Sequence, residues 1–270
     1  RAGFRAAYLD SGNHGGTYLN FTPDCSTESG GGTSYISGQH KLLETLRNRA
    51  RKINPEFCFT AESFWEGNIA HLDGYLVCNT TNAYLEGNRV TAIPLIQTVY
   101  SDYTMLHSVW PSRYDLARDN GLGYIAKNAL ALTWGVTPGW NIFNLLYTYE
   151  NGDIALKTSK DRYGAYVAGK KYFIEGKLLR QPVVKSNLKQ LRVKWHRSYS
   201  AVYYDILMDA VLGSVFKGPD GSYALVLYNI SEQVAKVNVN LNNSLPNKKY
   251  TTLAIYPAKQ KFKQTSSRTI

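Results

Sequence analysis

Long apolar runs are missing from this chain. No stretch approaches the roughly 20 apolar residues of a membrane helix, so no membrane span is expected. Cysteine is sparse: Cys25, Cys58 and Cys78. The odd count argues against a disulfide framework, and the spacing matches no zinc pattern. Cys58 and Cys78 lie in apolar, strand-like runs, which predicts buried thiols. No G-x-G-x-x-G loop follows any such run, leaving a nucleotide-binding fold without support. No G-x-S-x-G elbow surrounds Ser11 or Ser63, so a serine hydrolase is weakly supported. Histidine spacing of the H-x-x-x-H kind is absent, and neither a metal nor a cofactor is expected. No leader peptide is visible; the chain opens on Arg1 rather than Met and reads as a mature or truncated piece.

What remains is a globular profile. The chain has 270 residues, 44% hydrophobic and 19% charged, enough for one large domain or a large one and a small one. Its formal charge is +11. The densest basic run is Lys185 to Arg197, followed by Lys248, Lys249, Lys259, Lys261 and Lys263. These spread over the C-terminal third as a solvated face, and no nucleic-acid partner is expected. Four N-x-S/T sites, at Asn20, Asn79, Asn229 and Asn242, are explained by chance.

The pattern along the chain alternates. Residues 4–9 form a short apolar run ending at Asp10, before a Gly/Ser/Thr-rich loop over about 11–37. Leu42, Leu43, Leu46, Ala50 and Ile53 recur at helical spacing, predicting an amphipathic helix over 38–53 that Pro55 ends. Phe57 to Ala61 is a second run, ending at Glu62; together these make a β-α-β unit, the building block of a parallel sheet. A short helix is predicted over 67–72, strands over Tyr75 to Cys78, Ala92 to Tyr100 and Trp134 to Thr137, and helices over 123–132 and about 153–179. Beyond Pro182 the period falls to two: Val237, Val239 and Leu241 alternate with Asn238, Asn240 and Asn242, and Gly218-Pro219-Asp220-Gly221 is a turn signal. Five parallel strands are too few for a closed barrel of eight. The expected fold is therefore α/β: the C-terminal portion, about strands 4–8, of a (β/α)8 TIM barrel over residues 1–181. An antiparallel β-sandwich domain follows over 182–270. About three strand–helix units would lie upstream, and a smaller doubly wound fold is the alternative.

In a parallel barrel the chemistry sits at the C-terminal ends of the strands. Asp10 and Glu62 end neighbouring strands, and a pair of carboxylates is what glycoside hydrolysis requires. One attacks or stabilises the anomeric carbon; the other protonates the leaving oxygen and needs a raised pKa in an apolar surround, which Phe64 and Trp65 could supply. A loop-capping role for Asp10 and a first-turn role for Glu62 are the bland readings. Glu66 and Asp73 are weaker competitors, and Asp102 closes a later run. Trp65, Trp110, Trp134 and Trp140 fall at or just after predicted strand ends, where flat faces can stack on sugar rings, although core packing explains any one of them. His14 and His107, in loops after strands, could donate to hydroxyls.

The segment Tyr8-Leu9-Asp10 with its Gly-rich loop, Leu42-Leu43 and Leu46 with Asn54-Pro55-Glu56, and Thr60-Ala61-Glu62-Ser63-Phe64-Trp65-Glu66 resembles a family of bacterial glycoside-hydrolase-like (β/α)-barrel proteins. That family is distantly similar to endo-α-N-acetylgalactosaminidases and other α-glycosidase barrels. The resemblance implies O-glycoside hydrolysis, retaining and directed at α-linkages, with Asp10 as nucleophile and Glu62 as general acid/base. It implies an oligosaccharide or polysaccharide substrate and an extracellular or periplasmic setting, with the cytoplasm left open. A carbohydrate-binding protein without chemistry on the same scaffold is the alternative, and a basic surface-binding module over 185–263 a third.

Overall fold

A computed structural model describes residues 3–10, 19–23, 29–31, 33–77, 93–108, 111–139, 151–196, 202–241, 244–246, 250, 253–257 and 260–261. The chain divides into two compact units, Arg1–Val77 with Tyr103–Leu106, and Cys78–Asp102 with His107–Ile270.

The first unit is built on a four-stranded sheet in the order β1-β2-β3-β4, with β1 (Ala6–Leu9), β2 (Cys58–Glu62), β3 (Gly74–Leu76) and β4 (Met105–His107). β1 and β2 run parallel with Tyr8 opposite Thr60 and Leu9 opposite Ala61; β2 and β3 run parallel with Ala61 opposite Tyr75 and Glu62 opposite Leu76. Helix α1 (Ser34–Ile53) makes the crossover that a parallel pair requires. Its inward stripe keeps Leu43, Leu46 and Ala50 of the predicted one and drops Leu42 and Ile53. Leu42 and Ile53 are exposed, whereas in the C-terminal half of the helix Leu43 is buried and Leu46, Arg47, Ala50 and Arg51 are half-buried at helical spacing. The two arginines converge on Asp73, with Nη2 atoms 3.1 and 3.0 Å from its Oδ1. The Phe59 N–H donates to Asp73 Oδ2 at 2.8 Å. Asp73 therefore pins α1 to the N-terminal end of β3, at the opposite end of the strands from Glu62.

The two faces of this sheet differ. Phe59, Ala61, Tyr75 and Val77 on one face are all at most 6% exposed. On the other, Tyr8 and Cys58 are exposed and Thr60 and Glu62 half-buried, although Gly74 and Leu76 are covered. Cys58 is thus an exposed free thiol, contrary to expectation: alternation puts it on the open face.

The run Ala92 to Tyr100 departs from its predicted strand. Leu95–Tyr100 is helix α2, entered at Pro94. Proline cannot donate to a ladder but suits a helix entrance; the strand comes later, at Met105–His107. The predicted strand over Trp134 to Thr137 shrinks to one parallel bridge between His107 and Thr137. Trp134 caps the preceding helix and Gly135 takes φ 72°.

In the second unit, α3 (Arg113–Leu116) leads to α4 (Leu122–Thr133), which is buried nearly all round. The long predicted helix divides at Gly169 into α5 (Gly152–Ala168) and α6 (Lys170–Ile174). A side chain at Gly169 would meet the Phe173 ring. β5 (Lys177–Leu178), β9 (Val211–Lys217) and β10 (Tyr223–Asn229) form an antiparallel sheet in the order β10-β9-β5. The β9–β10 hairpin turns through the predicted Gly218–Gly221 segment, with Gly221 at φ 76°. β6 (Val183–Ser186) pairs with β11 (Val237–Asn240), β7 (Leu191–His196) with β8 (Tyr203–Met208), and β12 (Leu253–Ala254) with β13 (Gln260–Lys261). The alternation over 237–241 emerges as read: Val239 and Leu241 are buried with Val215, while Asn238 and Asn240 face outward.

One polar knot holds α3, α4 and β7 together. Lys127 and Asp115, both wholly buried, form an ion pair at 2.9 Å. Asp115 Oδ2 also accepts from the Ser112 N–H (2.7 Å) and hydroxyl (3.0 Å), a capping box closing the start of α3. Lys127 donates to the His196 carbonyl at 3.0 Å and lies 5.2 Å from the Trp195 ring centroid. Burial pulls the Lys127 pKa down, against the pull of Asp115. No helix among the described residues is long and apolar enough to cross a membrane.

Candidate functional site

Asp10 directly follows β1 and Glu62 is the last residue of β2. The β1–β2 register ends with Leu9 opposite Ala61; Asp10, in the turn one residue beyond, and Glu62, the last residue of β2, both lie at the C-terminal edge of the sheet, Glu62 on the open face shared by Tyr8 and Thr60. Neighbouring strands are about 4.8 Å apart, which sets the scale of the backbone separation. Asp10 is exposed and Glu62 half-buried.

The chain after Glu62 is held from several sides. Ser63 sits at φ 60°, a left-handed conformation unusual for a non-glycine residue, and its N–H donates to the Leu76 carbonyl at 3.0 Å. The Phe64 ring meets Tyr75 edge-on at 5.1 Å, and the Tyr75 hydroxyl donates to the Trp65 carbonyl at 3.3 Å. Burial drives the Tyr75 phenol well above its ordinary range, so it is a fixed neutral donor. The Trp65 ring lies across Gly67, where a Cβ would approach within 2.5–2.9 Å, and faces His40 at 6.3 Å. His40 Nε2 lies 2.8 Å from the Gly67 carbonyl, and its ring is 4.7 Å from that of His71. Burial, then the neighbouring His40 and Arg47, lower the His71 pKa, while Glu44 raises it. Glu66 is exposed in a single 3-10 turn, Glu66–Asn68.

The remaining candidates separate. Asp102 does not close a strand; it is exposed in the turn after α2 and pairs with Lys177 at 2.5 Å. Trp134 is 2% exposed, a core side chain with no face for a sugar. His107 ends β4, with Nδ1 3.3 Å from the Ser108 hydroxyl and a buried Nε2 that has no partner among the described residues. Burial lowers its pKa. Ser108, like Ser63, sits at φ 60° immediately beyond a strand. His14, Trp110 and Trp140 lie outside the described residues. Among the described residues no group of three or more His, Cys, Asp or Glu side chains could hold a metal ion.

The two left-handed serines, Tyr75 and the His40–His71 pair escaped the sequence reading. A left-handed residue announces itself through Gly or Asn, seldom through Ser. The histidine pair joins positions 31 residues apart, beyond any local period.

The family described as a domain of unknown function, DUF6259, matches residues 1–110. No curated protein and no solved structure gives a significant match.

Proposed function

We propose that the protein cleaves O-glycosidic bonds of an oligosaccharide or polysaccharide, as a retaining enzyme on α-linked substrates, from the C-terminal portion of a (β/α)8 barrel. The observation that carries this reading is the parallel β1–β2 pairing, with Asp10 next after Leu9 and Glu62 next after Ala61 at the C-terminal ends of adjacent strands. Chemistry on such sheets gathers at that end. The open face lined by Tyr8, Thr60 and Glu62 supports it further: parallel sheets are ordinarily covered on both faces, and in a barrel this face would look inward. The left-handed Ser63 beside Glu62 is the kind of strain that collects at active sites.

In the mechanism, an Asp10 oxygen attacks the anomeric carbon as the bond to the leaving oxygen breaks, and Glu62 gives that oxygen its proton. Glu62 then takes a proton from water, whose oxygen displaces Asp10 and regenerates both groups. The retaining reading follows the family resemblance, and it expects the two carboxyls about 5–5.5 Å apart, against about 6.5–9.5 Å for inversion. The test uses the full-length protein and aryl α-glycosides. Asp10→Asn abolishes turnover with every leaving group, whereas Glu62→Gln spares only the first step for a phenol that departs without a proton, seen as a burst, and regains turnover when azide takes the place of water. Normal turnover by Asp10→Asn overturns the assignment. Glycan binding without hydrolysis by the wild type turns the reading into a carbohydrate-binding protein.

A further inference from the structure

Arg162 on α5 is 3% exposed, and no carboxylate among the described residues pairs with it. Its neighbours Tyr124, Tyr166 and Tyr228 are phenols, and burial pushes Tyr228 up to about 12, so none supplies a counter-charge near neutral pH. Burying an unpaired cation is unfavourable, and burial lowers the guanidinium pKa to about 10. A leucine would fill such a position at less cost. What the guanidinium adds is a grip on neutral acceptors: Nη1 donates to Asn128 Oδ1 at 3.0 Å and Nη2 to the Val136 carbonyl at 3.1 Å.

One helical turn further along the same face of α5, the Tyr166 hydroxyl meets Thr137 Oγ1 at 2.8 Å. The Tyr166 ring is itself stacked on Phe173 at 5.2 Å with the planes 6° apart. Two successive residues of an irregular segment, Val136 and Thr137, are thus held by side chains from one helix. Thr137 is also where β4 ends. It bridges His107, and its carbonyl accepts the Ser108 N–H at 2.9 Å. A side chain at Gly139 would run into the Ser108 hydroxyl, so that glycine lets the segment close against β4.

We propose that Arg162 and Tyr166 are positioning residues for His107, a buried clamp that fixes the Val136–Thr137 backbone and thereby the orientation of the imidazole at the end of β4. What His107 does once positioned, donating to a substrate hydroxyl, rests on the hydrolase reading. The clamp itself does not, and its test needs no activity.

The experiment is NMR on the full-length protein with labelled histidine, His107 being assigned by its loss in His107→Gln. Hydrogen exchange of the Ser108 amide is followed in parallel. Tyr166→Phe removes one hydroxyl, worth about 1 kcal/mol as a hydrogen bond, and speeds Ser108 exchange roughly fivefold. It also moves the His107 titration midpoint up towards 6.5. Thr137→Val does the same, and the double variant adds nothing to either single one. Arg162→Lys, unable to span both acceptors, produces the larger shift if it folds; Tyr166→Phe decides the matter if it does not. Ala155→Gly, on the same helix but outside the clamp, lowers stability without moving either reading. If Tyr166→Phe lowers the melting temperature while leaving the Ser108 amide and the His107 titration as in the wild type, the clamp is only packing and the proposal is overturned. Loss of the hydrolase reading through Asp10→Asn would leave these measurements standing.

Discussion

Lys127→Met tests the physical account of the second unit most directly. The substitution keeps the length of the side chain and deletes the ammonium, leaving Asp115 fully buried with, among the described residues, the Ser112 N–H and hydroxyl as its donors. Breaking a buried pair by removing one partner costs about 3–5 kcal/mol, since the other charge stays uncompensated. Here the lost ammonium also bonded the His196 carbonyl, so the upper half of that range is expected. Asp115→Leu alone strands the ammonium and opens the α3 cap. The double variant, with neither charge, should recover at least about 2 kcal/mol relative to the sum, because an apolar pair can replace a buried ion pair at little cost. The assay is urea unfolding followed by tryptophan fluorescence; Trp195 is wholly buried beside Lys127 and reports on this region. A Lys127→Met protein within about 1 kcal/mol of the wild type would refute the reasoning: the pair would then contribute little, or Asp115 would take up a proton at small expense.

Two further outcomes are expected. His71 and His107 both have folded-state pKa values below the ordinary 6.5, burial being the main cause. As pH falls through 6.5 the unfolded chain binds protons first, so stability declines with acidification until the folded-state values are passed; His107→Gln should flatten that slope in melting temperatures measured from pH 7 to 5, and an unchanged slope would remove His107 from the account. Ser63→Gly should relieve a left-handed non-glycine backbone costing roughly 1–3 kcal/mol, raising the melting temperature while lowering kcat; a lower melting temperature would mean that the serine side chain outweighs the strain.

Strand and helix identity was legible wherever the period was long and unbroken. The β-α-β unit carrying Asp10 and Glu62, the helix α4 and the β9–β10 turn all lie close to where their patterns put them. Short apolar runs were not legible, since Ile93 to Tyr100 satisfies a strand and a helix equally and only Pro94 decides. The burial of α1 was misread because a hydrophobic count cannot see Arg47 and Arg51 turning inward to a carboxylate 22 or more residues away. At the candidate site the carboxylates were readable from strand ends. Asp102 and Trp134 went astray because the strands thought to present them were a helix in one case and a single bridge in the other. Nothing in the residue types announced Arg162, whose partners are a backbone carbonyl and an amide.

The first unit is assembled from two separated pieces of chain, and this matters while the protein is being made. β3 is complete at Leu76, but the strand that lies beside it begins at Met105, roughly 30 residues later. At about 5–20 residues per second, the ribosome leaves the nascent sheet one strand short for roughly 2–6 s, with β3, buried along its whole length in the finished fold, as its edge. The stretch matched by the family ends at residue 110, just after that last strand. The matched piece is therefore long enough to finish its own sheet before anything downstream has been synthesised, and a truncation ahead of residue 105 would release a chain with a sticky border.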